Sequence, residues 1–296
     1  MIDLHVHSYY SVDAENSPDD LIEAASLAGV RLLSITDHNT VDHIEPALQA
    51  AEGKSIRLLP GLELTCTAQD FGLEEIHLLL HFPQIGAGAW RLPPLVGLLE
   101  EIAVIQAQNL DSLLTGLEIK IDSLERARQS LLESGRLAES TRLALHLLKR
   151  CPPSLQPLPW AELKRKRDGV ISNLLMNGRW LPFPRIEQVL AVVKTIGATA
   201  TLAHPGRYDL DEASLSNLID RLKSAGLHGL EAIYLPHLDN SDKFMRMAKS
   251  HGCAITCGSD THSLDSLRRP SYHEFVNRVA TMNDSLHPRL KWTDNL

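Results

Sequence analysis

Potential metal ligands recur in this sequence where short apolar segments end, and this pattern constrains the fold more than any other feature. Four separated segments end in such residues: His5-Val6-His7, Asp37-His38, Ala203-His204-Pro205 and Asp260-Thr261-His262. Glu63 and His77 occupy matching places in two further apolar runs. Residues two apart in a strand point to the same side, so His5 can share an ion with His7, and Asp260 with His262. The pattern indicates a metalloenzyme.

Strand-length apolar runs alternate with amphipathic helical segments in both flanks of the chain. The runs are Ile2–Val6, Leu32–Ile35, Leu58–Leu64, Ile76–Leu80, Ala198–Leu202, Gly229–Tyr234 and Cys253–Cys257. Ser17 followed by Pro18 predicts a helix that continues to about Ala28, and Gly226 stands where a C-cap glycine belongs. This alternation predicts an α/β protein with buried parallel strands, either a barrel or an open sheet. Ligands at so many strand ends favour a barrel, because barrel sites cluster on one rim.

The middle of the chain shows no convincing strand and predicts a mainly helical insertion. Leu-rich helical patterns, a proline cluster and a basic run follow one another there: Leu95–Leu117, Asp122–Gly135, Glu139–Arg150, Cys151–Pro159 and Lys164–Arg167. We therefore divide the chain into a first barrel part (1–82), a helical insertion or cap (83–180) and a second barrel part (181–296). The insertion is either a lid over the barrel mouth or a set of ordinary surface helices.

Charge and composition limit the classes of partner. The formal net charge of -8 provides no general attraction to nucleic acid or to anionic membranes, so we expect no stable binding of duplex nucleic acid. No apolar run approaches the roughly 18 residues of a membrane span. The four cysteines show no CxxC pairing or secreted disulfide framework. With no signal peptide evident before the first strand, the expected location is cytoplasmic.

The strand-end residues combine imidazole and carboxylate groups without thiolates. Such a set fits Zn²⁺, Mn²⁺ or Fe²⁺ and does not choose among them. The candidates outnumber the positions around one ion, so we expect two or three divalent ions that share a bridging carboxylate. Asp13, Glu63 and Asp260 would neutralise only half the charge of three such ions, and the remaining charge favours an anionic substrate, most naturally a phosphate ester. Such ions also lower the pKa of a bound water, which predicts metal-assisted hydrolysis.

Six motifs together resemble the PHP family, named for polymerase and histidinol phosphatase. They are Asp3-Leu4-His5-Val6-His7-Ser8, Ile35-Thr36-Asp37-His38-Asn39, Gly61-Leu62-Glu63, Glu75-Ile76-His77, Leu202-Ala203-His204-Pro205-Gly206-Arg207-Tyr208 and Gly258-Ser259-Asp260-Thr261-His262. They cover about residues 1–82 and 180–265 in the family's order. The Ala203–Tyr208 run and the helical insertion are most similar to the branch of small PHP phosphoesterases that act on nucleotides and short oligonucleotides. The resemblance implies a distorted (βα)7 TIM-like barrel with a helical insertion.

The resemblance also implies how a trinuclear centre would divide the ligands. The first ion would take His5, His7, Glu63 and Asp260; Glu63 would bridge to a second ion held by His77 and His204; and Asp13, His38 and His262 would hold a third. Asp13 lies in a loop where aspartates often only make turns, and Glu15 competes with it. Asp37 is expected at the catalytic centre as a residue that orients a neighbouring ligand, or else as a helix N-cap. His81 is expected to have no ligand role.

Substrate contacts are expected from residues around the metal centre. Relatives of this branch carry an Arg-x-His on an insertion helix, thought to meet substrate phosphate. Arg142 matches that arginine, whereas Ala144 replaces the histidine and His146 lies about 200° round the helix, so either the register shifts or the substrate differs. Arg207 can bind phosphate bidentately or pair with a structural acid. Glu231 is expected to line the site.

These observations predict a metal-dependent phosphoesterase of the cytoplasm. Its substrate would be a small phosphorylated molecule, a nucleotide or short oligonucleotide, attacked by metal-activated hydroxide, with Arg207 and Arg142 stabilising the phosphate. Three alternatives remain: a histidinol-phosphatase-like phosphomonoesterase, an amidohydrolase-type enzyme that cleaves C–N bonds, and a non-catalytic PHP module. Ser8 and Ser259 are not expected as nucleophiles, because no histidine or aspartate partner is free of metal duty.

Overall fold

The computed structural model describes residues 1–11, 14, 16–84, 88–117 and 160–280. These residues form a mixed α/β fold with two sheets. The first sheet has three parallel strands, β1 (Ile2–Val6), β2 (Leu32–Ile35) and β3 (Arg57–Leu58), in that order. The second contains β4 (Gly61–Ala68), β5 (Leu73–His81), β6 (Thr199–Leu202), β7 (Gly229–Tyr234) and β8 (Ala254–Gly258), also in sequence order.

The second sheet is mixed, whereas the sequence predicts parallel strands throughout. Strand β5 pairs antiparallel with both β4 and β6, and the parallel pairings in this sheet are those of β6 with β7 and of β7 with β8. The chain length explains the difference. Only a 3₁₀ turn (Gln69–Phe71) and Gly72 separate β4 from β5, and a parallel crossover needs a dozen or more residues.

Among the described residues the two sheets meet edge to edge and do not form one continuous closed sheet. On one side the amide of Asp260 donates to the carbonyl of His5 at 2.8 Å, and that of His7 donates to Thr261 at 2.9 Å. On the other side the amide of Asn39 donates to the carbonyl of Glu63 at 2.8 Å. We call these two places the seams. The expected closed barrel is therefore not confirmed by the sheet topology.

Helices follow most of the strands. They are α1 (Pro18–Leu27), α2 (Ile44–Ala51), α3 (Pro93–Gly116), α4 (Trp160–Met176), α5 (Ile186–Ile196), α6 (Glu212–Ala225), α7 (Ser241–Ser250), α8 (Leu264–Leu267) and α9 (Pro270–Ala280). The predicted start of α1 is confirmed, because Ser17 Oγ accepts from the amide of Asp20 at 3.1 Å and Pro18 opens the helix. Gly226 ends α6 in the left-handed region with φ 115°, as predicted.

The strands bury both faces, and the two faces differ in chemistry. In β1, Leu4 and Val6 pack into an apolar cluster with α1 and α9, to which Tyr272 and Phe275 contribute. Alternate side chains of a strand point to opposite sides, so Asp3 and His5 face the other way and are nevertheless completely buried. A second apolar cluster joins β4–β8 to α5 and α6. Polar side chains are thus enclosed between the two sheets, which is where a site can form.

Helices α3 and α4 lie in the segment predicted as a helical insertion. The predicted helices Asp122–Gly135 and Glu139–Arg150 and the proline cluster Cys151–Pro159 lie outside the described residues. The three-part division of the chain stays a prediction. Within the described ranges, no helix combines the length and apolarity needed to cross a bilayer.

Candidate metal centre

Eight of the nine predicted metal ligands lie within the described residues, and the fold brings all eight together. His5, Glu63 and His77 belong to β1, β4 and β5, whereas the others follow the ends of β1, β2, β6 and β8: His7, His38, His204, Asp260 and His262. Their rings touch one another, as between His5 and His7 (centroids 5.0 Å apart) and between His77 and His204 (5.1 Å). Asp13, Arg142, Ala144 and His146 lie outside the described residues.

The first ligand group contains His5, His7, Glu63 and Asp260. The two Nε2 atoms of His5 and His7 are 3.1 Å apart. Each lies 3.2 Å from Glu63 Oε2, and the distances to Asp260 Oδ1 are 3.4 Å for His5 and 3.2 Å for His7. Four donor atoms from three separate chain segments therefore face one common point.

These separations fit a divalent ion. Ligand atoms about 2.0–2.2 Å from one metal lie about 2.8–3.1 Å from each other in octahedral geometry and about 3.3–3.6 Å in tetrahedral geometry. The separations just described fall within this span. Two imidazole nitrogens and two carboxylate oxygens, all buried, form a donor set suited to Zn²⁺, Mn²⁺ or Fe²⁺. The first group can thus hold a metal ion.

Glu63 extends the cluster with its second carboxylate oxygen. Oε1 lies 2.8 Å from His77 Nδ1 and 3.0 Å from His204 Nε2, and those two nitrogens are 3.2 Å apart. Because Oε2 faces the first group and Oε1 faces this one, the Glu63 carboxylate has the geometry of a bridge. His77, His204 and Glu63 form a second group of donors.

The third group brings together His7, His38 and His262. The His7 ring stacks on His38 with centroids 4.6 Å apart and on His262 at 4.4 Å. His38 Nδ1 also lies 3.2 Å from Glu63 Oε2, so His38 stands between the groups. The resemblance assigns this third position to His38, His262 and Asp13, of which only the two histidines are described.

The expectation that Asp260 and His262 share one ion because they alternate along a strand is not met. Asp260 has φ 53°, in the left-handed region, so the backbone leaves the extended conformation before His262. Asp260 joins the first group, whereas His262 joins the third, and His262 Nδ1 hydrogen-bonds the carbonyl of Asp260 at 2.8 Å. By contrast, His5 and His7 do point to the same side and join the same group, because the backbone stays extended there.

Glu231 was expected to line the site and contact substrate, and the structure corrects this. Its side chain is completely buried behind His5, where Oε1 accepts from His5 Nδ1 at 2.9 Å. Oε2 accepts from the amide of His204 at 2.7 Å, at a residue with φ 28°. Because a carboxylate only accepts, His5 donates from Nδ1 and presents Nε2 to the first group. Glu231 is therefore a positioning residue.

Asp37 also lies behind the ligands. Its Oδ1 accepts from the amides of Ser8 at 2.7 Å and Ser11 at 3.2 Å, and its side chain is fully buried. Helix α2 begins at Ile44 with His43 at the N-cap, so Asp37 does not cap it. Asp37 thus holds the loop that follows His7, and its burial keeps it from substrate. Its proposed role in orienting a neighbouring ligand stays a prediction.

The carboxylates and imidazoles of the cluster shift one another's pKa. Burial opposes ionisation of Glu63, yet His38, His5 and His77 hold the pKa of its carboxyl well below the usual range. Burial likewise disfavours the His7 imidazolium, but hydrogen bonds to Asp260 and Glu63 raise the His7 pKa to about 10. Burial also disfavours the His77 imidazolium, but the Glu63 carboxylate raises the pKa of His77 to about 9. Protons and divalent cations compete for such sites, so metal binding would release protons.

Arg207 reaches the rim of the centre. Its guanidinium lies 3.6 Å from Asp260 Oδ2, and about half of the side chain is exposed. Tyr234 donates its hydroxyl to the same oxygen at 2.7 Å. Arg207 thus pairs with an acid of the site and still presents part of its guanidinium to solvent.

Three positioning residues escaped the sequence analysis. Ser11 Oγ accepts from the amide of His38 at 2.9 Å and hydrogen-bonds His7 Nδ1 at 3.0 Å. Tyr208 donates its hydroxyl to the carbonyl of Ala203 and accepts from the amide of His77, both at 3.0 Å. Tyr234 supports Asp260 as described above. The Ala203–Tyr208 motif could have pointed to Tyr208, because it was already recognised as part of the site. Nothing in the local sequence points to Ser11 or Tyr234.

Sequence comparisons show that this chain is similar to one domain family and to several named enzymes. The PHP domain model matches residues 3–133. A 3′,5′-nucleoside bisphosphate phosphatase from Chromobacterium violaceum is 27% identical over 96% of this chain and 99% of its own length. A phosphoribosyl 1,2-cyclic phosphate 1,2-diphosphodiesterase from Eggerthella lenta is 28% identical, covering 88% of this chain and 93% of the relative. A 5′-3′ exoribonuclease from Escherichia coli is 26% identical, covering 88% and 84%.

The fold also matches a solved structure. An amidohydrolase from Chromobacterium violaceum superposes with a TM-score of 0.60 at 24% identity, over 94% of this chain and 96% of that one. At this identity the match establishes a shared fold and leaves the chemistry to the residues of the site.

Proposed function

We propose that this chain, a PHP-domain metal-dependent phosphoesterase, hydrolyses phosphate esters of nucleotides or short oligonucleotides at a centre of three divalent metal ions. The observation that carries the proposal is the double engagement of Glu63. One carboxylate oxygen faces His5, His7 and Asp260, and the other faces His77 and His204. A buried carboxylate placed between two sets of imidazole nitrogens is the arrangement that a metal bridge requires.

The ligands would divide into three sets, of which the first two share Glu63. His5, His7, Glu63 and Asp260 would hold one ion, and Glu63, His77 and His204 a second. His38 and His262 would hold the third, with Asp13 as the proposed carboxylate. When bound, divalent ions supply Lewis acidity, which neutralises phosphoryl oxygens and lowers the pKa of a water nucleophile.

The protein groups perform the binding and orientation. Glu231 fixes the His5 tautomer and the His204 backbone, and Asp37 fixes the loop after His7. Arg207, held at the rim by Asp260, would donate to the reacting phosphoryl group. Arg142 stays proposed as a second phosphate contact.

The names of the relatives support the substrate class. One acts on a nucleoside bisphosphate, one on a cyclic phosphate and one on RNA, as their names state. All three substrates are phosphate esters of ribose-containing molecules. We propose the same class here, in a cytoplasmic enzyme.

We also propose that the two seams complete a distorted (βα)7 barrel, and that residues 83–180 form an insertion between its two parts. The hydrogen bonds from Asp260 to His5 and from Asn39 to Glu63 support this closure.

Metal analysis combined with a substrate panel tests the proposed function. The panel contains nitrophenyl phosphate, histidinol phosphate, nucleoside mono- and bisphosphates, short oligoribonucleotides and a nitroanilide amide. We expect bound divalent metal and hydrolysis of the nucleotide esters, with no cleavage of the amide. Glu63→Gln should lose both metal and activity, because an amide cannot bridge two cations, whereas Glu23→Gln on the exposed face of α1 should retain both. Full metal content and activity in Glu63→Gln would refute the assignment.

A further inference from the structure

A cleft of about 390 Å³ borders the candidate metal centre. It lies between the ends of β7 and β8 and the start of α9. Its lining includes Asp260, Ser266, Arg269 and Ser271. Its volume falls within the range of about 300–1,000 Å³ that small-molecule sites occupy.

The cleft and the metal centre share Asp260 as a wall. Asp260 Oδ1 faces His5 and His7 of the first ligand group, whereas Oδ2 accepts from Tyr234 and lies near Arg207. A molecule with one group on the metal centre can therefore place a neighbouring group in the cleft. Both oxygens of Asp260 have these partners. Asp260 therefore forms no ion pair with the positively charged side chain that also lines the cleft.

That cation is Arg269, the single positively charged residue in the lining. Its side chain is exposed and lies within ion-pair distance of none of the described carboxylates. Two backbone hydrogen bonds fix its position at the start of α9: its amide donates to Ser266 and its carbonyl accepts from Tyr272. Ser266 and Ser271 line the same cleft and carry hydroxyl groups that can donate hydrogen bonds. Guanidinium and hydroxyl groups together are suited to a phosphate.

We propose that this cleft, the Arg269 cleft, binds a second, non-reacting phosphoryl group of the substrate. The enzyme then prefers doubly phosphorylated substrates over simple monoesters. The second group is the other phosphate of a nucleoside bisphosphate or the internal phosphodiester of a short oligonucleotide, which present the same oxygens. This inference rests on the proposed function.

The test compares Arg269→Gln with Arg268→Gln on three substrates: AMP, adenosine 3′,5′-bisphosphate and a 5′-phosphorylated diribonucleotide. A charge-assisted hydrogen bond is worth about tenfold or more in binding. We expect Arg269→Gln to lower kcat/KM for a doubly phosphorylated substrate at least about tenfold more than for AMP, mainly by raising KM. The exposed neighbour Arg268 lies outside the lining, so Arg268→Gln should match the wild type. The doubly phosphorylated substrate that shows the larger loss of kcat/KM tells whether the cleft binds the other phosphate of a bisphosphate or the internal phosphodiester of an oligonucleotide.

Equal losses on all three substrates, or no loss on any, would overturn the cleft assignment. Arg269→Lys keeps the charge without the planar fork and should fall between the wild type and Arg269→Gln for the doubly phosphorylated substrate. This second variant also keeps the test open if the glutamine variant does not fold. A wild type inactive toward every phosphate ester would refute the proposed function instead, which separates the two failures.

Discussion

At the scale of single residues, one buried carboxylate connects two candidate ligands from different strands. Glu231 on β7 accepts from the ring of His5 on β1 and from the amide of His204 after β6. The His204 backbone has φ 28°, a conformation that costs energy for a residue with a side chain. The hydrogen bond from its amide to Glu231 helps to hold that conformation in place.

The substitution Glu231→Gln tests this role. A glutamine has one acceptor oxygen, so either His5 or His204 would face an amide N–H group. We expect metal affinity to fall about 10- to 100-fold, as for other residues that orient metal ligands. Competition with a chromophoric chelator measures that affinity. Thermal unfolding of the chelated variants separates the metal effect from general destabilisation. Glu23→Gln serves as the control, and metal affinity equal to that of the wild type in Glu231→Gln would contradict the role.

His81 predicts a pH dependence of stability. Burial lowers its pKa from the ordinary value of 6.5 to about 4, while Nε2 hydrogen-bonds the carbonyl of Leu4 at 3.1 Å. The folded state therefore keeps His81 neutral between those pH values, whereas the unfolded state takes up a proton. Stability should fall as pH drops through this window, by about 1.4 kcal/mol per pH unit, and this contribution is absent above it.

Urea unfolding of the chelated protein at pH 7, 6 and 5 measures this effect. His81→Gln removes the titrating group, so the free energy of unfolding should decline less steeply toward pH 5 than in the wild type. His273→Gln, an exposed histidine of α9, should keep the wild-type slope. A slope unchanged by His81→Gln would show that another group causes the acid sensitivity.

Sequence reasoning at this scale identified the residues that converge and missed the groups that hold them. The two-residue period correctly paired His5 with His7, because β1 remains extended there. It failed for Asp260 and His262, because the positive φ at Asp260 interrupts the period. The role of Glu231 depends on neighbours far away in sequence, which a local pattern does not contain.

At the scale of elements, β8 approaches β1 too closely for a side chain at Gly258. A Cβ atom added there would lie 2.2 Å from His5 Cβ and 2.3 Å from Glu231 Oε1. Both neighbours belong to the buried polar layer behind the first ligand group. The glycine therefore allows the sheet to bring His5 and Glu231 together.

Gly258→Ala should destabilise the fold by about 1–3 kcal/mol, as overpacking of a dense interior does, and should weaken metal binding as well. Gly97→Ala is the matched control. Gly97 lies exposed within α3 with open space around its Cα, so the alanine should stabilise by about 0.5–1 kcal/mol through helix propensity. Chemical denaturation of both variants measures the difference. A neutral Gly258→Ala would show that the strands can separate without loss.

Helix starts were easier to predict than strand directions. The Ser17-Pro18 signal is local, and α1 begins where it indicates. The direction of β5 depends on the number of residues that join it to β4. The apolar runs Leu58–Leu64 and Ile76–Leu80 extend in the folded chain to β4 and β5, which leaves only a short turn between them. The predicted spacing of the runs was too wide to exclude a crossover.

At the scale of the whole molecule, the ligands belong to two sheets that meet only at their edges. His5, His7 and His38 lie in or just after strands of the first sheet, whereas the other ligands lie in or just after strands of the second: Glu63, His77, His204, Asp260 and His262. The sequence predicted that the strand ends converge, but not that the sheets are separate. Ions held by the first group would thus connect the two sheets beside both seams.

Metal removal should therefore loosen the seams more than the rest of the fold. Binding to the native state at a hundredfold excess over Kd stabilises by about 2.7 kcal/mol, so chelation should lower Tm and readdition of Mn²⁺ or Zn²⁺ should restore it. Hydrogen exchange resolves where the change falls. We expect faster exchange at the amides of His7, Asn39 and Asp260, which form the seams, and little change at Leu79 within the paired β4–β5 hairpin. Equal acceleration at both places would mean that the ions stabilise the fold globally, and unchanged seam amides would mean that the ions do not connect the sheets.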